Sequence, residues 1–168
     1  EKVDFLQKEG MQKLILDLRG NPGGYLHIAN QMCDEFLKDG ELIVFTEGRN
    51  RSKEETFATA KGQLENINII VLIDEGSASA SEIVSGSMQD NDRGLVIGRR
   101  SFGKGLVQEQ IAMNDGSVIR LTTQRYYTPS GRCIQKDYGK NKKDYHLGQY
   151  TRDKKIEYPD SLIYTTKK

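Results

Sequence analysis

Three serines alternate with alanine in the segment DEGSASASEI (Asp74 to Ile83), and a lysine, Lys104, follows in the glycine-bracketed turn FGKG (Phe102 to Gly105). A serine becomes a nucleophile only when a base takes its proton. The chain has two histidines, His27 and His146, and neither stands in a recognisable triad setting. A lysine can serve as the base if burial makes its charged form unfavourable. The glycines flanking Lys104 allow other backbone to press close, and Phe102 offers apolar surface for that burial. Gln108 comes four residues after Lys104 and can donate or accept a hydrogen bond without changing charge, so it could orient the amine. A nucleophile placed where a strand turns into a helix is exposed beside free backbone N–H groups, which suit a developing oxyanion. Ser77, Ser79 and Ser81 cannot all point into one site, and helix capping or small-residue packing is the other use for each. Residue types alone do not choose among them.

Two other chemistries are weaker. The stretch Gly98 to Gly105 nearly matches a phosphate-binding loop, G-x-x-x-x-G-K-[ST], but Gly105 stands where a hydroxyl would hold magnesium. The acidic strand IVLIDE (Ile70 to Glu75) also precedes the lysine loop, the reverse of the nucleotidase order. No H-E-x-x-H and no paired cysteines support a metal site. A net charge of +1 implies no strong pull toward nucleic acid or anionic membranes. Cys33 and Cys133 lie far apart and are expected to be buried free thiols, a disulfide being the alternative.

These groups must be positioned by a core that 168 residues suffice to build as one domain. Residues 2–9 suit a helix ended at Gly10, and Lys13 to Leu18 suits a strand. GNPGG (20–24) is a turn, braced by an Asp17–Arg19 ion pair, and Tyr25 to Leu37 carries apolar residues at helical spacing. Leu42 to Thr46 is a short strand, and 48–62 is a charged loop or ribbon. The continuous apolar run Ile67 to Ile73 predicts a strand buried on both faces. A helix follows from Ser79 to Met88, then strands at Leu95 to Gly98, Gly105 to Ala112 and Ser117 to Tyr127, the last two joined as a hairpin through NDG (114–116). Strands alternating with helices argue an α/β core. The stretch 136–155 is polar and reads as a solvated insertion, its tyrosines Tyr138, Tyr145 and Tyr150 being the residues able to pack over a groove instead, and 156–164 reads as a closing element.

Four segments, in order, carry a resemblance: LILDLRGNPGG (Leu14 to Gly24), GSASASEI (Gly76 to Ile83), FGKGLVQ (Phe102 to Gln108) and RYYTPSGRCIQ (Arg125 to Gln135). Together they resemble the catalytic core of the carboxyl-terminal processing peptidases, or tail-specific proteases, serine peptidase family S41. The resemblance implies an α/β fold, the spiral of ββα units shared with the Clp protease and crotonase superfamily. It makes Ser79 the nucleophile, Lys104 the base and Gln108 the third catalytic member, with Gly24 and Ala80 as oxyanion donors. Gly23, Ser81 and Asp90 become supporting residues, Asp90 bracing the lysine turn. It implies one catalytic core over 1–168, with its motifs in 14–135, and no cofactor. Its partners would be unfolded or C-terminal segments of protein substrates. An export signal and a peptide-binding PDZ domain are expected upstream, and a place in the periplasm or cell envelope of a bacterium. A non-catalytic peptide- or ligand-binding module on the same fold is the alternative, and the joint presence of Ser79, Lys104 and Gln108 argues against it.

Overall fold

The computed structural model describes residues 2–138. The elements run α1 (Lys2–Lys8), β1 (Lys13–Asp17), α2 (Leu26–Asp34), β2 (Leu42–Gly48), β3 (Arg51–Phe57), β4 (Asn68–Ile73), α3 (Ala80–Asp90), β5 (Leu95–Gly98), β6 (Leu106–Ala112) and β7 (Val118–Tyr127). They form two sheets. One is parallel and three-stranded, in the order β1-β4-β5; the other is four-stranded, in the order β3-β2-β7-β6, and all its pairings are antiparallel. The alternation of strands with crossover helices α2 and α3 thus produces the parallel sheet, as the pattern implied. The charged stretch after Gly48 is a ribbon: β3 is an edge strand whose lysine, arginine and glutamates face solvent, a composition that discourages pairing with another chain.

The core lies between the parallel sheet and the two helices. Val71 of β4 is fully buried, as are Cys33 of α2, Leu37 just beyond it and Met88 of α3. β4 departs from the expectation of burial on both faces. Ile69, Val71 and Ile73 are buried while Ile70 and Leu72 are half-buried. The helices pack on the face bearing the first three, and the opposite face stays partly open among the described residues, with Ile15 of the neighbouring β1 63% exposed. Arg93 closes one end of this core: its guanidinium donates to the carbonyls of Phe36, Leu64 and Ile67 at 2.6–2.7 Å, satisfying acceptors where the chain leaves α2 and enters β4.

The thiols differ from the expectation of two buried ones. Cys33 is buried and free, and burial pushes its thiol up to about 12. Cys133 is free and exposed, because it lies on the short return segment that bridges to Tyr127 at the sheet's end. The polar stretch from 139 to 155 and the closing element at 156–164 lie outside the described residues.

Candidate active site

The chain leaves the parallel sheet at β4 and turns into α3 through Asp74 to Ser79; it leaves the same sheet again at β5 and enters the antiparallel sheet at β6 through the lysine turn. The site is where these two connections meet. The Gly98–Gly105 stretch leads into a strand and not a helix, so the phosphate-loop reading has no helix N-terminus to hold an anion.

Geometry separates the three serines. The Ser77 hydroxyl donates to the Leu18 carbonyl at 2.7 Å and accepts the Asp74 N–H at 2.9 Å. The Ser81 hydroxyl donates to the Asn21 carbonyl at 3.1 Å. Both are buried and committed to holding the glycine turn against the serine turn. Ser79 is half-buried, and its hydroxyl proton has no acceptor among the described residues. Its backbone is strained, at φ 54° and ψ −115° on the N-cap of α3. It is a strand-to-helix turn, the setting that suits a nucleophile.

The glycine turn packs directly on this elbow. Gly23 has φ 93°, and a Cβ there would stand 2.5 Å from the Ala78 carbonyl oxygen and 2.7 Å from the Ala80 nitrogen. Its own N–H is spent on the Asn21 side chain at 2.9 Å. The N–H groups of Gly24 and Ala80 donate to nothing among the described residues. They are the two donors expected for an oxyanion. Asp74 joins the two turns by accepting from the backbone N–H groups of Gly20 and Gly76 at 2.8 and 2.9 Å. Burial alone would raise its carboxyl, but these donors and the Ser77 hydroxyl outweigh it and hold the group below its ordinary value. The expected ion pair of Asp17 and Arg19 is present and two-pronged, at 2.9 and 2.7 Å, and the guanidinium holds the Asp17 carboxyl down to about 2.

Glu82, which the sequence reading passed over, is the residue that ties serine to lysine. Its carboxylate is in a residue 5% exposed and accepts four hydrogen bonds. One oxygen takes the Ser101 hydroxyl at 2.7 Å and the Gly103 N–H at 2.6 Å. The other takes the Ser79 N–H at 2.9 Å and the Lys104 N–H at 2.8 Å. Because one oxygen receives both N–H groups, the two backbones pass within about 6 Å, a span that a lysine side chain can cover. Phe102 adds a backbone bond to the Ser77 carbonyl at 2.9 Å. The only sequence signal for this was the capping box formed by Ser79 and Glu82, which foretells the short-range bond alone.

Lys104 departs from expectation in one respect: it is exposed. The bracketing glycines do admit other backbone, since Gly103 and Gly105 lie against residues 134–136 with no room for a Cβ. The apolar surface of Phe102 is used elsewhere, however, with the Lys136 ammonium 5.2 Å from its ring centre. Gln108 lies on β6, exposed, beside a β-bulge between Val107 and Gln108, and no hydrogen bond joins it to Lys104 among the described residues.

Asp90 does not touch the lysine turn. It accepts from the Ser130 N–H and hydroxyl at 3.0 and 2.6 Å and pairs with Arg132, pinning the turn of the TPSGR segment (128–132) to the end of α3. Support reaches the lysine turn one step later, where the chain returns and Lys136 N–H donates to the Gly103 carbonyl at 3.0 Å. Burial would raise the Asp90 carboxyl, but the Ser130 and Thr128 hydroxyls, the Ser130 N–H and Arg132 outweigh it and depress it. A depressed carboxyl stabilises the fold above its unfolded value, about 3.9, and that contribution is lost as pH falls through the folded value. Asp90→Asn is therefore expected to cost about 1–3 kcal/mol at neutral pH. The gap to wild type should close below about pH 4; urea titrations at both pH values measure it, and a gap that persists in acid would refute the linkage.

The chain matches the family described as Peptidase family S41 over residues 1–146. It is 52% identical over 122 residues to a carboxy-terminal-processing protease of Bartonella bacilliformis, covering 72% of this chain and 28% of that protein. It is 40% identical over 128 residues to a probable CtpA-like serine protease of Staphylococcus epidermidis, covering 76% of this chain and 26% of that one. The chain thus spans little more than a quarter of the length of these curated relatives. Among solved structures, the photosystem II D1 C-terminal processing protease superposes with a TM-score of 0.72 at 33% identity, over 79% of this chain and 34% of that one.

Proposed function

Since the chain belongs to peptidase family S41, whose matched members include carboxy-terminal-processing proteases with the Clp protease/crotonase-like fold, we propose that it is the catalytic core of a serine endopeptidase that cleaves proteins near their C-termini. Ser79 is the nucleophile. The observation that carries this is the contrast within the serine cluster: Ser77 and Ser81 have committed their protons, while Ser79 holds its own at a strained helix start tied through Glu82 to the lysine turn.

In the first step the Ser79 Oγ attacks the scissile carbonyl carbon and its proton passes to the neutral amine of Lys104. The carbonyl oxygen, now anionic, accepts from the N–H groups of Gly24 and Ala80. Collapse of this intermediate breaks the C–N bond, and Lys104 returns the proton to the leaving amine. Water then attacks the acyl-enzyme, Lys104 taking its proton and passing it to the departing Ser79 oxygen. Gln108 orients the amine during these transfers. Lys104 is exposed in the free protein, so on this reading a seated peptide supplies the cover that a lysine base requires. Substrates are unfolded or C-terminal segments of proteins, and their selection rests with a PDZ domain elsewhere in the complete protein.

The test uses the complete protein and an unfolded substrate with an apolar C-terminus. Lys104→Ala is expected to slow cleavage by on the order of 10²- to 10⁴-fold, the usual worth of a general base. Undiminished turnover would remove Lys104 from the role. Absence of cleavage by the wild type, with peptide binding retained, would favour a binding module on the same fold.

A further inference from the structure

We propose that Glu82 is a positioning residue that sets the distance between nucleophile and base, an inference that rests on the assignment of Ser79 and Lys104 as a dyad. Glu82 is buried and carries a carboxylate whose two oxygens each accept two hydrogen bonds. Three of the four donors are backbone N–H groups, of Ser79, Gly103 and Lys104, and these cannot turn into acceptors. Only the Ser101 hydroxyl can reverse. The site therefore requires an acceptor at both oxygens, which a carboxylate provides and a carboxamide of the same shape does not. Whichever way an amide is turned, its NH2 group faces at least one backbone N–H.

The placement of these donors gives the residue more than a capping role. A cap would need only the bond to Ser79, three residues away. The remaining bonds reach Ser101, Gly103 and Lys104 in the connection between β5 and β6. A single oxygen holds both the N–H of the strained Ser79 and that of Lys104. The nucleophile's backbone and the base's backbone thus share one anchor, and neither shifts against the other without breaking a charge-assisted bond. Strained backbone persists only where its surroundings over-determine it, and this bond is one of the constraints that does so at Ser79.

Glu82→Gln in the complete protein tests the assignment. The expected result is a fall in kcat of about 100-fold, the cost of misplacing reacting groups by roughly 1 Å. KM should stay within about threefold, because Glu82 removes no substrate contact. The enzyme should remain folded at the assay temperature by circular dichroism. On a Lys104→Ala background the same substitution should cost little more, since its effect passes through the lysine. A kcat within a few-fold of wild type would overturn the proposal, as would a loss that merely multiplies that of Lys104→Ala. Should Glu82→Gln fail to fold, Ser101→Ala decides by the same split: a several-fold loss of kcat at constant KM supports the role, and unchanged kcat overturns it. If Lys104→Ala proves fully active, the dyad itself fails. If Lys104→Ala is inactive while Glu82→Gln is not, only the positioning role fails.

Discussion

Ser79→Ala in the complete protein is expected to lose cleavage by on the order of a million-fold, the scale seen when a serine nucleophile is removed from a working catalytic unit. Its stability should stay within about 1 kcal/mol of wild type. The second half follows from the hydrogen bonds: the hydroxyl proton of Ser79 has no acceptor among the described residues, so alanine forfeits only the acceptor that the hydroxyl oxygen offers in the capping box, worth about 1 kcal/mol. Ser79→Gly sharpens the test. At φ 54° a side chain is strained, and glycine should relieve about 1–3 kcal/mol while leaving the enzyme equally inactive. Urea unfolding and a cleavage assay on the three proteins measure both quantities. A rise in stability with loss of activity would show that fold and chemistry make opposed demands on this position. If Ser81→Ala abolished cleavage and Ser79→Ala did not, the nucleophile would be one motif position later.

Gly23→Ala is expected to damage the site more than its single methyl group suggests. The new Cβ would meet the Ala78 carbonyl oxygen at 2.5 Å, the Ala80 nitrogen at 2.7 Å and the Ser79 Cβ at 2.9 Å. The first two are backbone atoms of the elbow itself and cannot swing aside. The alanine would also sit at φ 93°, which L-residues rarely adopt. Relief comes only by moving the glycine turn away from the elbow, at a cost of about 2–4 kcal/mol in stability. That movement separates the N–H groups of Gly24 and Ala80, and cleavage should fall by about 10²- to 10³-fold, the worth of an oxyanion donor. Gly24→Ala is the control. Among the described residues, its two chain neighbours aside, no atom lies within 4 Å of its added Cβ, and its φ is not positive, so it should fold as wild type and keep its N–H in place. Equal damage from the two substitutions would refute the packing account of Gly23.

The elements were largely legible because their signals are local. The run at Ile67 to Ile73, the helical spacing after Tyr25 and the NDG turn each name a structure from a few neighbouring residues. The two-faced burial expected for β4 failed because a strand's composition says how apolar it is, not which of its faces another layer covers. At the site the same boundary holds. What distinguishes Ser77 and Ser81 from Ser79 is their partners at Leu18 and Asn21, more than fifty positions away, which no local pattern in the serine cluster names. Glu82 escaped notice because the one local pattern it belongs to is a capping box, while its other three bonds are long-range. Lys104 was expected to be sheltered by Phe102; it is exposed, and an ammonium that does lie over that ring is that of Lys136, which no local pattern places there. Asp90 was expected to support the lysine turn, yet its hydrogen bonds go to the turn at 128–132.

The span of these long-range bonds bears on when the two turns are first brought together. A growing chain that has emerged only as far as Met88 already carries the serine, the glycine turn and the buried carboxylate. It has none of the donors at Ser101, Gly103 and Lys104, and none of the return segment whose Lys136 N–H holds Gly103. Closing such distant contacts is the slow part of folding. The serine turn is therefore delivered early and tied to the lysine turn late, in the order in which the ribosome supplies residues.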